Sequence, residues 1–309
     1  MEFKQDSVLM RLKLRRRLLV WRVFAVVAFV AAILFAGSSD FKNIKSVGGN
    51  SIARIKVEGT ISSKSIKETL EQIEDVYKDD TVKAVILDIN SPGGAVTSGE
   101  RVHDAIERLS AKKPVVVTME GLAASAGYMI AVPAQRIFAH RTSLTGSIGV
   151  ILESPEVSGL MEYVGVNVNE LVSGPMKGQP SFFKPLSPAG REMLQGVIAD
   201  LYQQFVAIVS KGRHLSIEDV KRLADGRPYT GSQALNLKLI DEIGDQDTAK
   251  KWLISHYHLN NAIEIKDVSE KKYKWLSQQL GSTVSSLFIS AAQPFLPLKE
   301  EGAMAIWKP

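Results

Sequence analysis

The chain has 309 residues, 45% of them hydrophobic and 23% charged, enough for one large domain or two small ones. It contains no cysteine, which excludes disulfides, thiolate zinc sites and a cysteine nucleophile together. The net charge of +5 is confined: residues 1–39 hold seven basic side chains against two acidic ones, leaving 31 of each in 40–309. A formally neutral body gives no support to a nucleic-acid ligand.

The basic segment 1–17 ends in Arg15-Arg16-Arg17 and runs into Leu18-Leu19-Val20-Trp21-Arg22 and the apolar stretch Val23 to Ala36. Residues 18–36 approach the roughly 20 needed to cross a bilayer. Arg22 can snorkel toward the head groups, and Trp21 suits the interface. Positive charge on the N-terminal flank predicts an N-terminus inside and the body of the chain translocated. A cleaved signal peptide ending at Ala36-Gly37-Ser38-Ser39 is the competing reading, but the length of the run favours an anchor. The expectation is a single-pass protein of the cytoplasmic (inner) membrane with its main domain on the outer, periplasmic face. Residues 37–50, rich in Ser, Gly, Asn and Lys, read as a linker.

From Ser51 to Gly59 the sequence alternates apolar and polar and predicts a half-exposed strand. Ile66, Leu70, Ile73 and Val76 give Ser62 to Asp79 a helical period. Val82 to Ile89 is a second strand ending in Asn90-Ser91-Pro92-Gly93-Gly94, and Val96 to Ser110 is helical. The β-branched run Pro114 to Thr118 predicts a buried strand, after which come Met119-Glu120-Gly121-Leu122-Ala123-Ala124-Ser125-Ala126-Gly127-Tyr128. Arg136 to His140 reads as a strand, followed by Leu144-Thr145-Gly146-Ser147-Ile148-Gly149-Val150. A helix over Pro155–Val164, a strand over Asn167–Val172 and a Gly/Pro-rich loop from Ser173 to Pro188 follow. Beyond Ala189 a stripe of Met193, Val197, Leu201, Phe205 and Ile208 marks a helix, and Ser216-Ile217-Glu218-Asp219 a capped helix start. Helices over 245–259 and 270–288 flank a strand at Ala262–Ile265. Strands alternating with helices in this way predict βαβ units and a mostly parallel sheet.

Three features bear on chemistry. Ser125 is a lone hydroxyl among small residues where a strand turns into a helix, a position that offers free backbone N–H groups to a developing negative charge. Taken alone, the stretch equally suits tight helix–sheet packing with Ser125 as an N-cap. Gly93-Gly94 follows the carboxyl end of a strand, where open parallel sheets bind ligands and where backbone N–H groups can meet a carbonyl oxygen unobstructed. A serine nucleophile needs a base. His140 sits at a strand end, and His103, His214, His256 and His258 fall on amphipathic helices or in a basic loop. A lysine serves equally when burial lowers its pKa. Lys177, in Ser173-Gly174-Pro175-Met176-Lys177-Gly178, has small and apolar neighbours, though no lysine declares itself from the residues alone.

Asn90-Ser91-Pro92-Gly93-Gly94, Leu122-Ala123-Ala124-Ser125-Ala126-Gly127-Tyr128, Leu144 to Val150 and the Lys177 segment, in that order, resemble the S49 family of serine peptidases in its short bacterial form. The resemblance covers roughly residues 50–245. It implies a ClpP/crotonase-like α/β fold for a peptidase domain at 51–260, followed by a C-terminal extension at 261–309. It further implies a Ser–Lys dyad with Ser125 as nucleophile, Lys177 as general base and Ser147 orienting that lysine. Gly94 would supply an oxyanion N–H, and Ala126, the residue after the nucleophile, a second one. Many relatives have glycine where Ala126 stands, and alanine would resist a positive φ there. No cofactor or metal is implied. The expected substrates are signal-peptide remnants and other membrane-derived peptides, and the expected assembly is a homo-oligomer. A crotonase-like acyl-CoA enzyme and a catalytically inert membrane scaffold are the rival readings.

Overall fold

The computed structural model describes residues 50–268 and 304–306, which belong to one compact unit, Asn50–Pro309. The expected anchor at 18–36 and the expected helix at 270–288 lie outside the described residues. Among the described residues no helix is long and apolar enough to cross a membrane.

Alternation of side chains along three strands builds the centre. Strands β1 (Ser51–Glu58), β2 (Val82–Ser91) and β4 (Val115–Ala124) run parallel and side by side. Ala53, Ile55, Val57, Val85, Leu87, Ile89, Val115, Val117 and Met119 point to one face. Ile52, Ala84, Ile86 and Val116 point to the other. That period of two puts a hydrophobic layer on each side of the sheet, as burial on both faces of a parallel sheet demands.

Helices α1 (Ser65–Lys78) and α2 (Val96–Ser110) cover the first face through Ile66, Ile73 and Val76 and through Val102, Ile106 and Leu109. Each such side chain, fully buried, is worth about 1.5–3 kcal/mol. The second face receives the helix Gln246–His256 through Ala249 and Leu253, with Trp252 edge-on to the buried Phe138 at 6.4 Å between ring centroids. Between α2 and β4 the chain turns with Lys113 buried, its Nζ donating to the Val76 carbonyl at 2.6 Å.

In the eight-stranded sheet the order is β7 (Pro228–Thr230), β6 (Leu144–Gly146), β4, β2, β1 and β9 (Glu264–Asp267), with β5 (Arg136–Ala139) and β8 (Glu242–Ile243) as a branch on β4. The branch arises because β4 is long. Its first half, Val116–Met119, pairs with β5 (Arg136–Ala139), and its second half, Leu122–Ala124, pairs with β6 (Leu144–Gly146). Strand β7 (Pro228–Thr230) closes this edge antiparallel to β6, while β8 (Glu242–Ile243) extends β5 and β9 (Glu264–Asp267) extends β1 in parallel. A short strand, β3 (Gly93–Ala95), leaves the end of β2 and pairs antiparallel with β10 (Met304–Ile306).

The expected strand over Asn167–Val172 is not formed: that segment is irregular and largely exposed. Val168 and Val172 are β-branched, but among the described residues no strand pairs with this segment, and β-branched pattern without a pairing partner gives no strand. The helix expected over Pro155–Val164 shortens to α4 (Ser158–Tyr163), and no residue of it is buried.

Candidate active site

Ser125 stands at the corner between β4 and helix α3 (Ala126–Ala131), 1% exposed. Its backbone has φ 55° and ψ −121°, and its side chain makes no capping hydrogen bond to the helix it heads. That conformation belongs to the first central residue of a type II′ turn, a position that ordinarily calls for glycine. The corner is held from both sides: Ser125 N donates to the Gly146 carbonyl at 2.8 Å, and the Ser125 carbonyl accepts from Met129 N at 2.9 Å. The N-cap reading is therefore correct in position and wrong in role, since the hydroxyl is left available.

The concern over Ala126 moves by one residue. The positive φ falls on Ser125, while Ala126 is the first residue of α3 and is fully buried. Packing explains an alanine here, because a β-carbon added at Gly99 of α2 would come within 2.9 Å of the Ala126 Cβ. Small residues at both positions let α2 and α3 approach closely. Gly127 does the same toward β2, where an added Cβ would lie 3.0 Å from the Ser91 carbonyl oxygen.

Ser91 braces the glycine turn beside this corner, a role that sequence reasoning passed over. It is fully buried, and its Oγ accepts from Gly93 N at 3.1 Å, which folds the Ser-Pro-Gly-Gly turn back toward α3. The signal was present: a serine two residues before a glycine, with proline between, is a hydroxyl-capped turn. Gly94 then sits against Ile61, with the Gly93 carbonyl accepting from Ile61 N at 2.8 Å and Ala95 N donating to the Ile61 carbonyl at 2.8 Å. A Cβ on Gly94 would fall 2.0 Å from that Ile61 oxygen, so only glycine allows the approach.

Ser147 follows β6 with φ 50° and is 5% exposed. Its Oγ donates to the Gly226 carbonyl at 3.0 Å, and its N donates to the Arg227 carbonyl at 3.1 Å. These two bonds dock the Ser147 turn onto the segment before β7. Gly146 is tight for the same reason, an added Cβ lying 2.8 Å from the Tyr229 ring.

A cavity of about 610 Å³ opens over these residues, and both Ser125 and Ser147 line it. Its lining includes Gln195, Ile198, Ala199 and Tyr202 of helix α5 (Pro188–Arg213), the stretch Gly149 to Ile151, and Glu153, Asp225 and Gly226. The Asp225 carboxyl is held below the usual carboxylate range by hydrogen bonds from the Arg227 side chain and backbone. A mixed wall of apolar side chains with two hydroxyls suits an extended peptide.

Neither lysine nor histidine is among the residues lining the cavity. Lys177 lies on an exposed turn, its N donating to the Gly174 carbonyl at 3.0 Å. Ser125 and Ser147 thus share one cavity, and Lys177, Gly94 and Ala126 are not among its lining residues. His140 is exposed at the end of β5 and does not enter the cavity.

A buried serine at a strained strand-to-helix corner, packed beside the glycine turn that ends β2, on a mostly parallel α/β sheet, defines the class of a serine hydrolase. The sequence pattern of peptidase family S49 matches residues 107–260, and that of Clp protease matches residues 46–160. The chain is 36% identical over 257 residues to a protein of Methanocaldococcus jannaschii provisionally named a protease, an alignment covering 79% of this chain and 83% of that one. It is 36% identical over 217 residues to an Enterococcus faecium protein provisionally named a signal peptide peptidase, covering 68% of this chain and 62% of that one. With Protease 4 of Haemophilus influenzae it shares 35% identity over 246 residues, which is 77% of this chain and 39% of that larger protein. The chain belongs to peptidase family S49 and is a serine peptidase.

Proposed function

We propose that this protein is a membrane-anchored serine endopeptidase with a Ser–Lys dyad. On this reading it degrades signal-peptide remnants and other membrane-derived peptides on the outer face of the cytoplasmic membrane. The observation that carries the reading is the corner at Ser125: a hydroxyl held at φ 55° with no capping bond, opening on a cavity it shares with Ser147. Strain retained at one residue, with the hydroxyl left free, is the usual mark of a nucleophile rather than of a cap. A substrate class of this kind is consistent with the name of the E. faecium relative. The apolar run at 18–36 supports an anchor that would hold the cavity near such substrates.

The mechanism is acyl transfer. Neutral Lys177 takes the Ser125 proton as Oγ attacks the scissile carbonyl. The N–H groups of Gly94 and Ala126 hold the oxyanion, and protonated Lys177 passes its proton to the leaving amine. Water then attacks the acyl-enzyme with Lys177 again as base. Ser147 orients the lysine, exchanging its present bond to Gly226 for one to Nζ.

Lys177 is exposed in a single chain, so a second element must bring it over Ser125 and exclude water from its ammonium. The segment around it supports a copy of the same chain as that element. Leu160, Tyr163, Leu171, Met176, Phe182 and Phe183 are all exposed there, with Leu171 99% and Tyr163 89% accessible. An exposed apolar surface of this kind supports an interface between subunits.

The direct test uses the full chain in detergent with an extended apolar peptide. Ser125→Ala and Lys177→Ala each abolish cleavage while leaving the melting temperature within a degree or so of the parent. Full activity in Lys177→Ala would remove the lysine from the dyad and return attention to His140.

A further inference from the structure

The cavity beside Ser125 is walled by two kinds of group that one class of side chain matches. Ile198, Ala199 and Tyr202 share one face of α5 and, with Ile151, give the cavity apolar surface. Two carboxylates, Glu153 and Asp225, line the same cavity, and no lysine, arginine or histidine is among its lining residues. Asp225 is clasped by Arg227, whose Nε donates to Oδ1 at 2.9 Å and to Oδ2 at 2.7 Å, so its place is fixed by its own turn. Glu153 is differently set: it is exposed, and it ends the stretch from Ser147 that follows the cavity. An apolar wall that includes a carboxylate suits a side chain with a long methylene stem and a cationic head. The stem covers apolar surface while the head stays at the polar group. Tyr202 adds an aromatic ring to that wall, a surface that cations favour.

We infer that Glu153 is a specificity-determining residue, selecting peptides that place a lysine or arginine side chain in the cavity when the scissile bond is at Ser125. This selection presupposes Ser125 as the nucleophile and the cavity as the peptide site, as proposed above. It narrows the substrate class from apolar peptides to apolar peptides that carry a basic residue. A wholly apolar peptide seated over Glu153 would strip water from a carboxylate and return nothing to it, which is costly. A cationic head offsets that loss, and an acidic side chain in the same place is repelled. At about 610 Å³ the cavity has room for a basic side chain together with an apolar neighbour from the same peptide. Because Glu153 is exposed, solvent and salt screen its charge, so the discrimination is modest and depends on ionic strength.

The probes are fluorescent peptides of alanine and leucine, alike except at one residue, which is lysine, norleucine or glutamate and is moved along the peptide in turn. Norleucine keeps the lysine stem and lacks only the amine. Binding is measured with the full chain in detergent on a Ser125→Ala background, and kcat/KM with chains that retain Ser125. At the best position the lysine peptide is expected to bind about three- to ten-fold more tightly than the norleucine peptide, with glutamate weakest. Raising salt from about 0.05 M to about 0.5 M narrows that gap. Glu153→Gln brings the lysine-to-norleucine ratio near unity, and Glu153→Lys puts glutamate ahead of lysine. Ratios of kcat/KM between the peptides move in the same direction. A lysine preference that survives Glu153→Gln, or its absence at every position in the parent chain, would overturn the inference. So would a Glu153→Gln chain whose kcat falls equally for all peptides with their ratio intact, since the carboxylate would then serve Lys177 and not the substrate. Lysine-selective binding that is lost in Glu153→Gln, in a parent that cleaves no peptide, would instead count against the nucleophile and leave the recognition standing.

Discussion

At Ser125 the backbone and the side chain make opposite demands. The corner between β4 and α3 calls for a residue without a β-carbon, yet the position holds a serine with φ 55° and ψ −121°. Conformations of this kind cost on the order of 1–3 kcal/mol for a residue other than glycine. Buried neighbours on every side hold the corner in place: Ala123, Ala124, Ala126 and Tyr128 are fully inaccessible, and Gly146 and Met129 bond the Ser125 backbone. Ser125→Gly should therefore be inactive and more stable, by about 1 kcal/mol or about 2 °C in melting temperature for a domain of this size. Ser125→Ala, which keeps the β-carbon, should be inactive without that gain. Thermal melts of the two variants beside the parent decide it, and a Ser125→Gly protein no more stable than Ser125→Ala would mean that the corner is unstrained. Sequence pattern revealed the small residues around Ser125 but not the strain, because alternation and spacing carry no information on the sign of φ. It likewise pointed to Ala126 as the residue in conflict, when the conflict belongs to its neighbour.

The long helix α5 makes one wall of the cavity, and its ends are set by local chemistry. Ser187 accepts from Gly190 N at 3.0 Å at the start, with Pro188 in the first turn, and His214 closes the helix in the left-handed conformation. What fixes its position is Arg213, whose side chain is 7% exposed and which clasps Asp241 with Nη1 to Oδ2 at 3.0 Å and Nη2 to Oδ1 at 2.7 Å. Asp241 in turn accepts from Ile137 N of β5 at 2.7 Å, and Tyr128 of α3 donates to the Leu239 carbonyl at 2.8 Å. Burial pushes the Tyr128 hydroxyl far above its ordinary pKa, so it remains a neutral donor. Helix α5, strand β5 and helix α3 are thus joined through one short segment. Asp241→Ala would leave the Arg213 charge buried and unpaired, at a cost of about 3 kcal/mol. Chemical denaturation should read that loss as a lower midpoint at unchanged slope; a loss below about 1 kcal/mol would show that the clasp is relieved by solvent. The helices and central strands were legible from periodicity because burial on a fixed face imposes it. The clasp was not, since residues 213 and 241 are brought together by the fold alone. The strand expected at Asn167–Val172 failed for the converse reason: local pattern was present, but among the described residues no strand pairs with it.

At the scale of the whole molecule, the exposed apolar side chains bear on how the proposed site would be completed. All the large exposed hydrophobic residues among those described, except Val197, fall between Ile151 and Phe183, on the stretch that bears Lys177. The same stretch includes α4, none of whose residues is buried, so it gains little from its own chain. Burying it against another copy would remove apolar surface from water at about 25 cal/mol per Å² and would desolvate the lysine at the same time. On the proposed reading, assembly and activation would be one event, with the nucleophile from one copy and the base from its neighbour. This arrangement makes a prediction that a site completed within one chain does not. A Ser125→Ala chain lacks the hydroxyl and a Lys177→Ala chain lacks the amine, and each assembly alone is dead. When the two are dissociated, mixed and reassembled, some interfaces pair an intact Ser125 with an intact Lys177, and peptide cleavage should return to a fraction of the parent rate. Activity should follow the mixing ratio, peaking near equal amounts, and a serine-directed probe should label only the Lys177→Ala chains. Mixtures that reassemble to the parent mass yet stay inactive at every ratio would sink the shared site and require the lysine to reach Ser125 within its own chain.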